Sequence, residues 1–311
     1  MAYTLAQINE AVRSDPRGFA EEADAAFQRK VDAAARQIAE NRSRSHIVLL
    51  SGPSGSGKTT TAMKIEESLD RAGVTTHTVS MDNYFLTVDP ETAPRTRDGA
   101  IDYESPFCLD IELLNRHFAM LDRGETIHVP RFEFSRQMRS AVNTSPLKLG
   151  PDEVAIFEGI HALNDVIAGK NPHAFRLYIA ARSNVTDGQG DVVFEHAWLR
   201  LCRRIVRDAK FRGSGADFTL KLWPNVCRGE RLYVSPFRDG ADLLFDTALP
   251  YELPVLKTHV VPLLEAIPAD QRPEPVEQML RAFARIEPLP DDCVAPDSLV
   301  REFIGGSTYS Y

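Results

Sequence analysis

The chain has 311 residues, of which 43% are hydrophobic, and a formal net charge of −8. This is enough apolar material for one large or two ordinary folded domains, and the acidic balance argues against nucleic acid or a membrane surface as a partner. We find no apolar run of membrane-spanning length and no signal-peptide pattern, so a cytoplasmic protein is expected. The four cysteines are widely spaced, which predicts neither a zinc site nor a disulfide framework.

The first predicted element is a long amphipathic helix over residues 15–41. Its apolar positions recur close to every 3.6 residues, at Phe19, Ala23, Phe27, Val31, Ala34 and Ile38. We expect this stripe to pack on the flank of the domain, because most such stripes face a core and few bind a partner. Residues 1–43 are therefore assigned to an N-terminal helical extension.

A strand, a glycine-rich loop and a helix follow, over residues 47–50, 52–59 and 60–72. The loop reads G-x-x-x-x-G-K-T, and this order lets its backbone N–H groups cradle a phosphate at the head of a helix. Lys58 is expected to reach the β- and γ-phosphates, and Thr59 to hold Mg²⁺. The predicted nucleotide contacts are Gly52, Ser54, Gly55, Ser56, Gly57, Lys58, Thr59 and Thr60.

Further strands are predicted at residues 75–82, 154–159, 175–180 and 242–245, with helices at 111–121 and 194–208. Strands that alternate with helices indicate a parallel sheet covered on both faces, which binds its ligands at the carboxyl ends of the strands. Asp82 and Glu158 each end a strand. Phosphoryl transfer needs a metal-holding group and a proton acceptor, so we assign Glu158 to Mg²⁺ and Asp82 to the attacking hydroxyl. An acidic cap is the alternative role for each.

A basic helix comes next, with Arg200, Arg203, Arg204 and Arg207 spaced to share one face. It predicts either a phosphate-binding face or a solvated basic face paired with acids such as Asp208. The proline-rich run 267–290 is interpreted as a surface return around a short helix at 276–286. The apolar tail over residues 301–307 is expected to dock on the body, and residues 263–311 are assigned to a C-terminal extension.

In this order, the motifs resemble the uridine kinase and phosphoribulokinase family of P-loop kinases, and more closely its uridine kinase-like nucleoside kinase branch. The resemblance covers roughly residues 44–257. Besides the phosphate loop, it is carried by residues 82–85, 102–106, 129–140, 157–160 and 203–208.

The resemblance implies an α/β protein with a P-loop NTPase three-layer α/β/α fold and a parallel central sheet. The kinase domain would span residues 44–262, with a β-hairpin acceptor-binding insertion at about 125–150 and a helical lid at about 200–238. ATP and Mg²⁺ are the implied cofactors. The lid would bring Arg204, Arg207 and Arg212 onto the ATP phosphates, and Lys58, Asp82 and Glu158 would be the catalytic residues.

For the acceptor, the resemblance implies a nucleoside whose ribose 5′-hydroxyl is activated by Asp82 and whose ribose hydroxyls are held by Glu104, where the family usually carries Asp. Asp102 competes for that second role. Tyr84 and Arg139 belong to the same acceptor motifs, and Phe132 and Gln137 replace the Tyr and His of uridine kinases, so pyrimidine preference stays open. A sugar, sugar phosphate or polyol kinase, a non-catalytic nucleotide-binding regulator and a homo-oligomer all remain compatible with the sequence.

Overall fold

Five parallel strands form the central sheet of the protein. The structure is a computed structural model that describes residues 3–310, apart from the side chain of residue 141. In chain order the strands are β1 (Ile47–Ser51), β2 (Thr75–Ser80), β3 (Ile127–Glu133), β4 (Met138–Leu147), β5 (Glu153–Glu158), β6 (Phe175–Ala180), β7 (Val185–Thr186), β8 (Val192–Phe194) and β9 (Leu243–Asp246). The sheet order is β2-β5-β1-β6-β9, which places β1 in the middle.

Helices cover both faces of this sheet. They are α1 (Leu5–Ser14), α2 (Pro16–Asn41), α3 (Lys58–Arg71), α4 (Ile111–Asp122), α5 (Asp165–Ala168), α6 (His196–Phe211), α7 (Ala216–Tyr233), α8 (Glu252–Glu265), α9 (Glu274–Ala284) and α10 (Arg301–Ile304). Alternate residues of β1 enter different apolar clusters, Val48 and Leu50 on one face and Ile47 and Leu49 on the other. Because both faces are buried, the strand is a continuous apolar run, and the predicted three-layer α/β/α architecture is confirmed.

The predicted N-terminal helix is present as α2 and packs beside α3. Its apolar stripe is buried as expected, from Ala23 to Ile38, and Phe19 is partly buried at its start. A preceding helix, α1, was not predicted. It begins with a capping box in which the side chains of Thr4 and Gln7 bond each other's backbone N–H groups, a signal that the sequence does carry.

The predicted hairpin is formed by β3 and β4, which pair antiparallel. Gln137 lies in the turn between them with a φ of 50°, a left-handed conformation that few non-glycine residues adopt. The hairpin packs on the short helical turn at residues 81–84 that follows β2. It therefore stands next to the carboxyl end of the sheet.

The C-terminal region is more deeply integrated than a surface return. Helix α9 buries Val276, Met279 and Phe283, and the tail docks through Phe303, which is fully buried. These residues belong to the same apolar cluster as α2 and α3. Among the helices of residues 3–310, none combines the length and apolar character needed to cross a membrane.

Replacing Phe303 with alanine should lower the free energy of unfolding by about 3–5 kcal/mol, because it leaves a large cavity in the core that joins α10 to the sheet. Urea unfolding of Phe303→Ala measures this cost. Val142→Thr is the control, since Val142 is 85% exposed on β4 and the exchange keeps the branched shape, so we expect a change within about 0.5 kcal/mol. Equal stability of Phe303→Ala and wild type would show that the tail is not part of the core.

Candidate active site

The phosphate loop, residues 52–59, joins β1 to α3 and needs its glycines for different reasons. Gly55 and Gly57 have φ values of +73° and +80°, which side chains rarely adopt. A Cβ atom on Gly52 would lie 2.0 Å from the carbonyl oxygen of Ile179 on β6. The loop therefore has its predicted conformation only with glycine at these places.

The carbonyl groups of this loop are held from behind by α6 and by the segment after β9. Arg200 Nε donates to Ser54 O at 3.2 Å, Arg203 Nη1 donates to Gly55 O at 3.1 Å, and Thr247 Oγ1 donates to Ser56 O at 2.6 Å. In a trans peptide the C=O and the following N–H point in opposite directions. Holding these carbonyls thus turns the following N–H groups away from α6.

Arg203 makes this contact from inside the protein. Its guanidinium forms two hydrogen bonds with Glu252, at 2.5 and 2.8 Å, and both side chains are 0% exposed. Arg200 is paired in the same way with Glu230 at 2.8 and 2.5 Å. Of the four arginines predicted to share a phosphate-binding or solvated face, Arg203 therefore lies in a buried ion pair and Arg200 in a partly buried one, because α6 packs into the core on that side.

The remaining arginines of α6 and its C-terminal end surround one acid. Arg204, Arg207 and Arg212 approach the Asp208 carboxylate at 3.2, 3.0 and 3.5 Å. Arg204 Nη1 also donates to Ser54 Oγ at 3.0 Å, in the phosphate loop. The pairing with Asp208 was one of the two predicted alternatives for this face, and Asp208 keeps three guanidinium groups together, which are groups that bind phosphate oxygens well.

A cavity of about 470 Å³ opens at the start of α3, and its wall is shared by the loop, the arginines and the C-terminal helix. It is lined by Thr59, Arg207, Phe211, Arg212 and Glu302. The predicted nucleotide contacts Thr59, Arg207 and Arg212 are thus brought to one space. Glu302 was not predicted to belong to it, because its place in the C-terminal tail carries no local signal.

Lys58, Asp82 and Glu158 lie where adjacent strands end, since β2, β5 and β1 are neighbours in the sheet. Burial raises the pKa of Glu158 to about 7; Lys58 opposes this shift and Asp82 adds to it. Burial also raises the pKa of Asp82, although its side chain is reached by solvent through the cleft, while Lys58 and Arg212 lower it. For Lys58, burial lowers the pKa, and Glu158 and Asp82 raise it. The three predicted catalytic groups therefore act on each other electrostatically.

The oxygen donors near the loop fit a magnesium ion. The Thr59 hydroxyl and the Glu158 carboxylate are hard ligands of the kind that Mg²⁺ prefers. Ser56 Oγ is buried and finds no hydrogen-bond partner within residues 3–310. Two acids with raised pKa values mark a site that a divalent cation would stabilise.

Glu104 and Asp102, the two candidates for acceptor hydroxyls, have different surroundings. Asp102 is buried and accepts hydrogen bonds from both terminal nitrogens of Arg228 at 3.1 and 2.5 Å and from Tyr233 OH at 2.8 Å. The Glu104 carboxylate has no such partner in the described part of the chain. Its side chain lies against α7, where a Cβ on Gly229 would come within 2.4 Å of Glu104 Cβ. Glu104 is thus the carboxylate left free for a ligand.

Two adjoining cavities lie beside Glu104. The first, of about 690 Å³, contains Glu104 and is rich in cations, with Arg97, Arg204, Arg228 and Arg231 in its wall. The second, of about 590 Å³, is aromatic and has Gln137 at its wall. Phe85, Phe132 and Phe134 stand together in its wall, with ring centroids 5.1 to 6.4 Å apart. The two cavities share Ile101, Tyr103 and Leu222 in their walls.

Two of the side chains predicted to contact the acceptor make hydrogen bonds within the protein instead. Tyr84 is fully buried and its hydroxyl bonds His117 Nδ1 at 2.9 Å, so the prediction that it contacts the acceptor is wrong. Arg139 pairs with Asp110 at 2.8 Å and donates to Tyr84 O at 2.9 Å. It fastens the hairpin to the turn after β2, which helps to position Asp82.

Comparison with known proteins agrees with this geometry. The model of the phosphoribulokinase / uridine kinase family matches residues 47–252. Uridine kinases of Macrococcus caseolyticus and Brevibacillus brevis are each 29% identical, over 65% and 64% of this chain and 88% and 83% of theirs. A putative fructose transport system kinase from Silicibacter sp. TM1040 has the same fold, with a TM-score of 0.50 and 20% identity over 69% of this chain and 98% of its own.

Removing one partner of the buried Arg203–Glu252 ion pair, behind the phosphate loop, should destabilise the protein. Arg203→Met leaves Glu252 buried and unpaired, and we expect a loss of about 3–5 kcal/mol in the free energy of unfolding. The double variant Arg203→Met/Glu252→Met should recover most of this stability, because two apolar side chains replace the pair. Both variants lose the hydrogen bond to Gly55 O, so both should bind nucleotide more weakly. Urea unfolding and calorimetry test this, and equal stability of the single and double variants would contradict it.

The raised pKa of Glu158 predicts a pH-dependent cost. A carboxyl with a pKa of about 7 in the folded state and 4.5 as its ordinary value stabilises the fold fully below pH 4.5, and this stabilisation is lost as the pH rises to 7. Without metal or nucleotide, Glu158→Gln should therefore melt above wild type by a margin that widens from pH 5.5 to pH 8, reaching roughly 2–6 °C.

Glu153, at the opposite end of β5, is the matched control for that measurement. A hydrogen bond from the Gly150 N–H lowers the pKa of Glu153, and His77 lowers it further, so its charge stabilises the fold. Glu153→Gln should give no gain in melting temperature at pH 8. A pH-independent difference for Glu158→Gln would refute the electrostatic explanation.

Proposed function

Since the chain belongs to the phosphoribulokinase and uridine kinase family, we propose that it transfers the γ-phosphate of ATP to a hydroxyl of a small molecule, with the 5′-hydroxyl of a nucleoside as the preferred acceptor. One observation carries the proposal. The acids Asp82 and Glu158 adjoin Lys58 at the phosphate loop, while an unpaired carboxylate, Glu104, lies in a separate cavity next to α7. Such a site has one side for a donor and one for an acceptor.

The donor side is built to bind phosphates. The loop N–H groups point away from α6, Lys58 lies at the start of α3, and Arg207 and Arg212 line the cavity there. Positive groups fixed in advance around the phosphoryl oxygens stabilise the charge that develops in transfer. Mg²⁺, held by Thr59 and Glu158, would neutralise charge on the phosphate oxygens.

On the acceptor side, Asp82 takes the proton of the attacking hydroxyl. Its raised pKa makes it a better proton acceptor than an ordinary aspartate, because the proton affinity of the carboxylate rises with its pKa. Glu104 would hold a pair of hydroxyls next to the reacting one, since a carboxylate accepts two hydrogen bonds. Arg204 lines the same cavity and reaches Ser54 of the loop, so it connects the two sides.

The aromatic cavity favours a ring-bearing acceptor. Phe132 and its two aromatic neighbours offer faces on which a base can stack, and Gln137 offers both a hydrogen-bond donor and an acceptor. A sugar phosphate is the second candidate, and one observation favours it. Four arginines line the cavity that contains Glu104. Arg228 and Arg204 are paired with Asp102 and Asp208, but Arg97 and Arg231 have no ion pair among the described residues and could bind an anionic group.

A panel of acceptors with Mg-ATP tests the proposal by measuring ADP release. Uridine, cytidine and purine nucleosides form one arm, and sugars, sugar phosphates and polyols the other. Release stimulated by nucleosides supports the main proposal, and release stimulated only by the second arm replaces it. Stoichiometric nucleotide binding with no stimulation in either arm would favour a non-catalytic regulatory protein.

Asp82→Asn should lower the phosphorylation rate at least roughly 100-fold, because the amide cannot accept the hydroxyl proton. Nucleotide binding should persist, which calorimetry with ATP checks. Asp70→Asn removes an exposed acid at the outer end of α3 and should leave the rate unchanged. Normal turnover by Asp82→Asn would show that another group accepts the proton.

A further inference from the structure

The last part of the chain packs directly on the phosphate loop. We call residues 297–304 the C-terminal clasp. Leu299 of the clasp occupies the space beside Gly57, where a Cβ would come within 2.7 Å of Leu299 Cδ1. The clasp is therefore in contact with the segment that receives the phosphates.

Bonds to helices α3 and α6, and to the residue that precedes α8, hold the clasp in place. Asp297 pairs with Lys64 of α3 at 2.7 Å, and Ser298 Oγ bonds the hydroxyl of Tyr251, next to α8, at 2.6 Å. Lys210 of α6 donates to Ile304 O at 2.5 Å. Together with the buried ring of Phe303, these contacts fix the backbone that carries Glu302.

From this position the Glu302 side chain contacts the first turn of α3. Its Oε2 atom accepts hydrogen bonds from the Thr60 hydroxyl at 2.5 Å and from the Thr60 N–H at 3.3 Å. The N–H groups at a helix start are those that an anion binds. Glu302 is only 8% exposed, yet it lines the 470 Å³ cavity with Thr59, Arg207 and Arg212.

We propose that Glu302 competes with the phosphates of the donor nucleotide for the first turn of α3, and so sets the affinity of the site. Phosphate and carboxylate are both anions, and they cannot share the Thr60 N–H and hydroxyl without close repulsion. Nucleotide binding therefore requires the Glu302 side chain to leave Thr60, while the clasp backbone stays anchored. The inference rests on the proposed nucleotide-donor function but not on the identity of the acceptor.

Glu302→Gln tests the competition, because glutamine keeps the length and an oxygen acceptor for Thr60 but removes the charge. Titration calorimetry with ADP and ATP, without an acceptor, should show a Kd lowered roughly tenfold relative to wild type. Thermal melting of the free proteins shows whether the clasp still docks. Unchanged or weaker nucleotide binding by a Glu302→Gln protein that melts like wild type would overturn the proposal.

Asp70→Asn is the matched control, since it removes one negative charge from the same helix, α3, at its exposed far end, away from Thr60 and from the contacts that hold the clasp. Its nucleotide Kd should stay within roughly twofold of wild type. An equal gain in both variants would mean that overall charge, and not competition at Thr60, sets the affinity, which also overturns the proposal.

Titration with inorganic tripolyphosphate separates this inference from the proposed kinase function. If wild type binds tripolyphosphate but neither ATP nor ADP, the donor assignment fails. The comparison of Glu302→Gln with wild type on tripolyphosphate then still decides the competition. Tighter binding by the variant supports it, and equal binding contradicts it.

Discussion

The site depends on hydrogen bonds that hold the phosphate loop by its carbonyl oxygens. Arg200, Arg203 and Thr247 bind three consecutive carbonyls, and the N–H groups are turned the other way as a result. A guanidinium in the protein interior is costly unless it is paired, and Glu252 supplies the partner for Arg203. A buried ion pair that touches no phosphate thus shapes the surface that receives one.

The charged groups on the two sides of this loop differ. Behind the loop, Arg200 and Arg203 are each paired with a glutamate, whereas in front of it Lys58, Asp82 and Glu158 form no ion pair within 4 Å among the described residues. Lys58 has a lowered pKa, and Glu158 and Asp82 have raised pKa values, mainly because desolvation in the cleft disfavours the charged form of each group. Perturbed groups of this kind cluster at functional sites, where they cost stability in the free protein. A metal ion and a phosphate chain would restore the balance.

On the proposed acceptor side, helix α7 gives two nearby acids different surroundings. Arg228 and Tyr233 of α7 bind Asp102, while Gly229 of the same helix leaves room for Glu104 to reach the cavity. The departures from the uridine kinase pattern, Phe132 and Gln137, lie at the adjoining aromatic cavity. We therefore expect selectivity for the acceptor to depend on which part of one ligand occupies the cavity that contains Glu104 and which part occupies the aromatic cavity.

The sequence alone determined the features that rest on local patterns. Glycine spacing predicted the phosphate loop, apolar runs predicted the strands of the sheet, and parallel topology placed Asp82 and Glu158 at one edge. Helical periodicity showed that four arginines share a face of α6, but not what covers that face, so Arg203 was not recognised as buried. The motif around Tyr84 likewise did not show that its side chain is buried in the core. The contact between Glu302 and Thr60 joins residues that are 242 positions apart, and only the packing of the tail against the loop decides it. Local spacing restricts the backbone near each residue, whereas burial and long-range pairing depend on the whole chain.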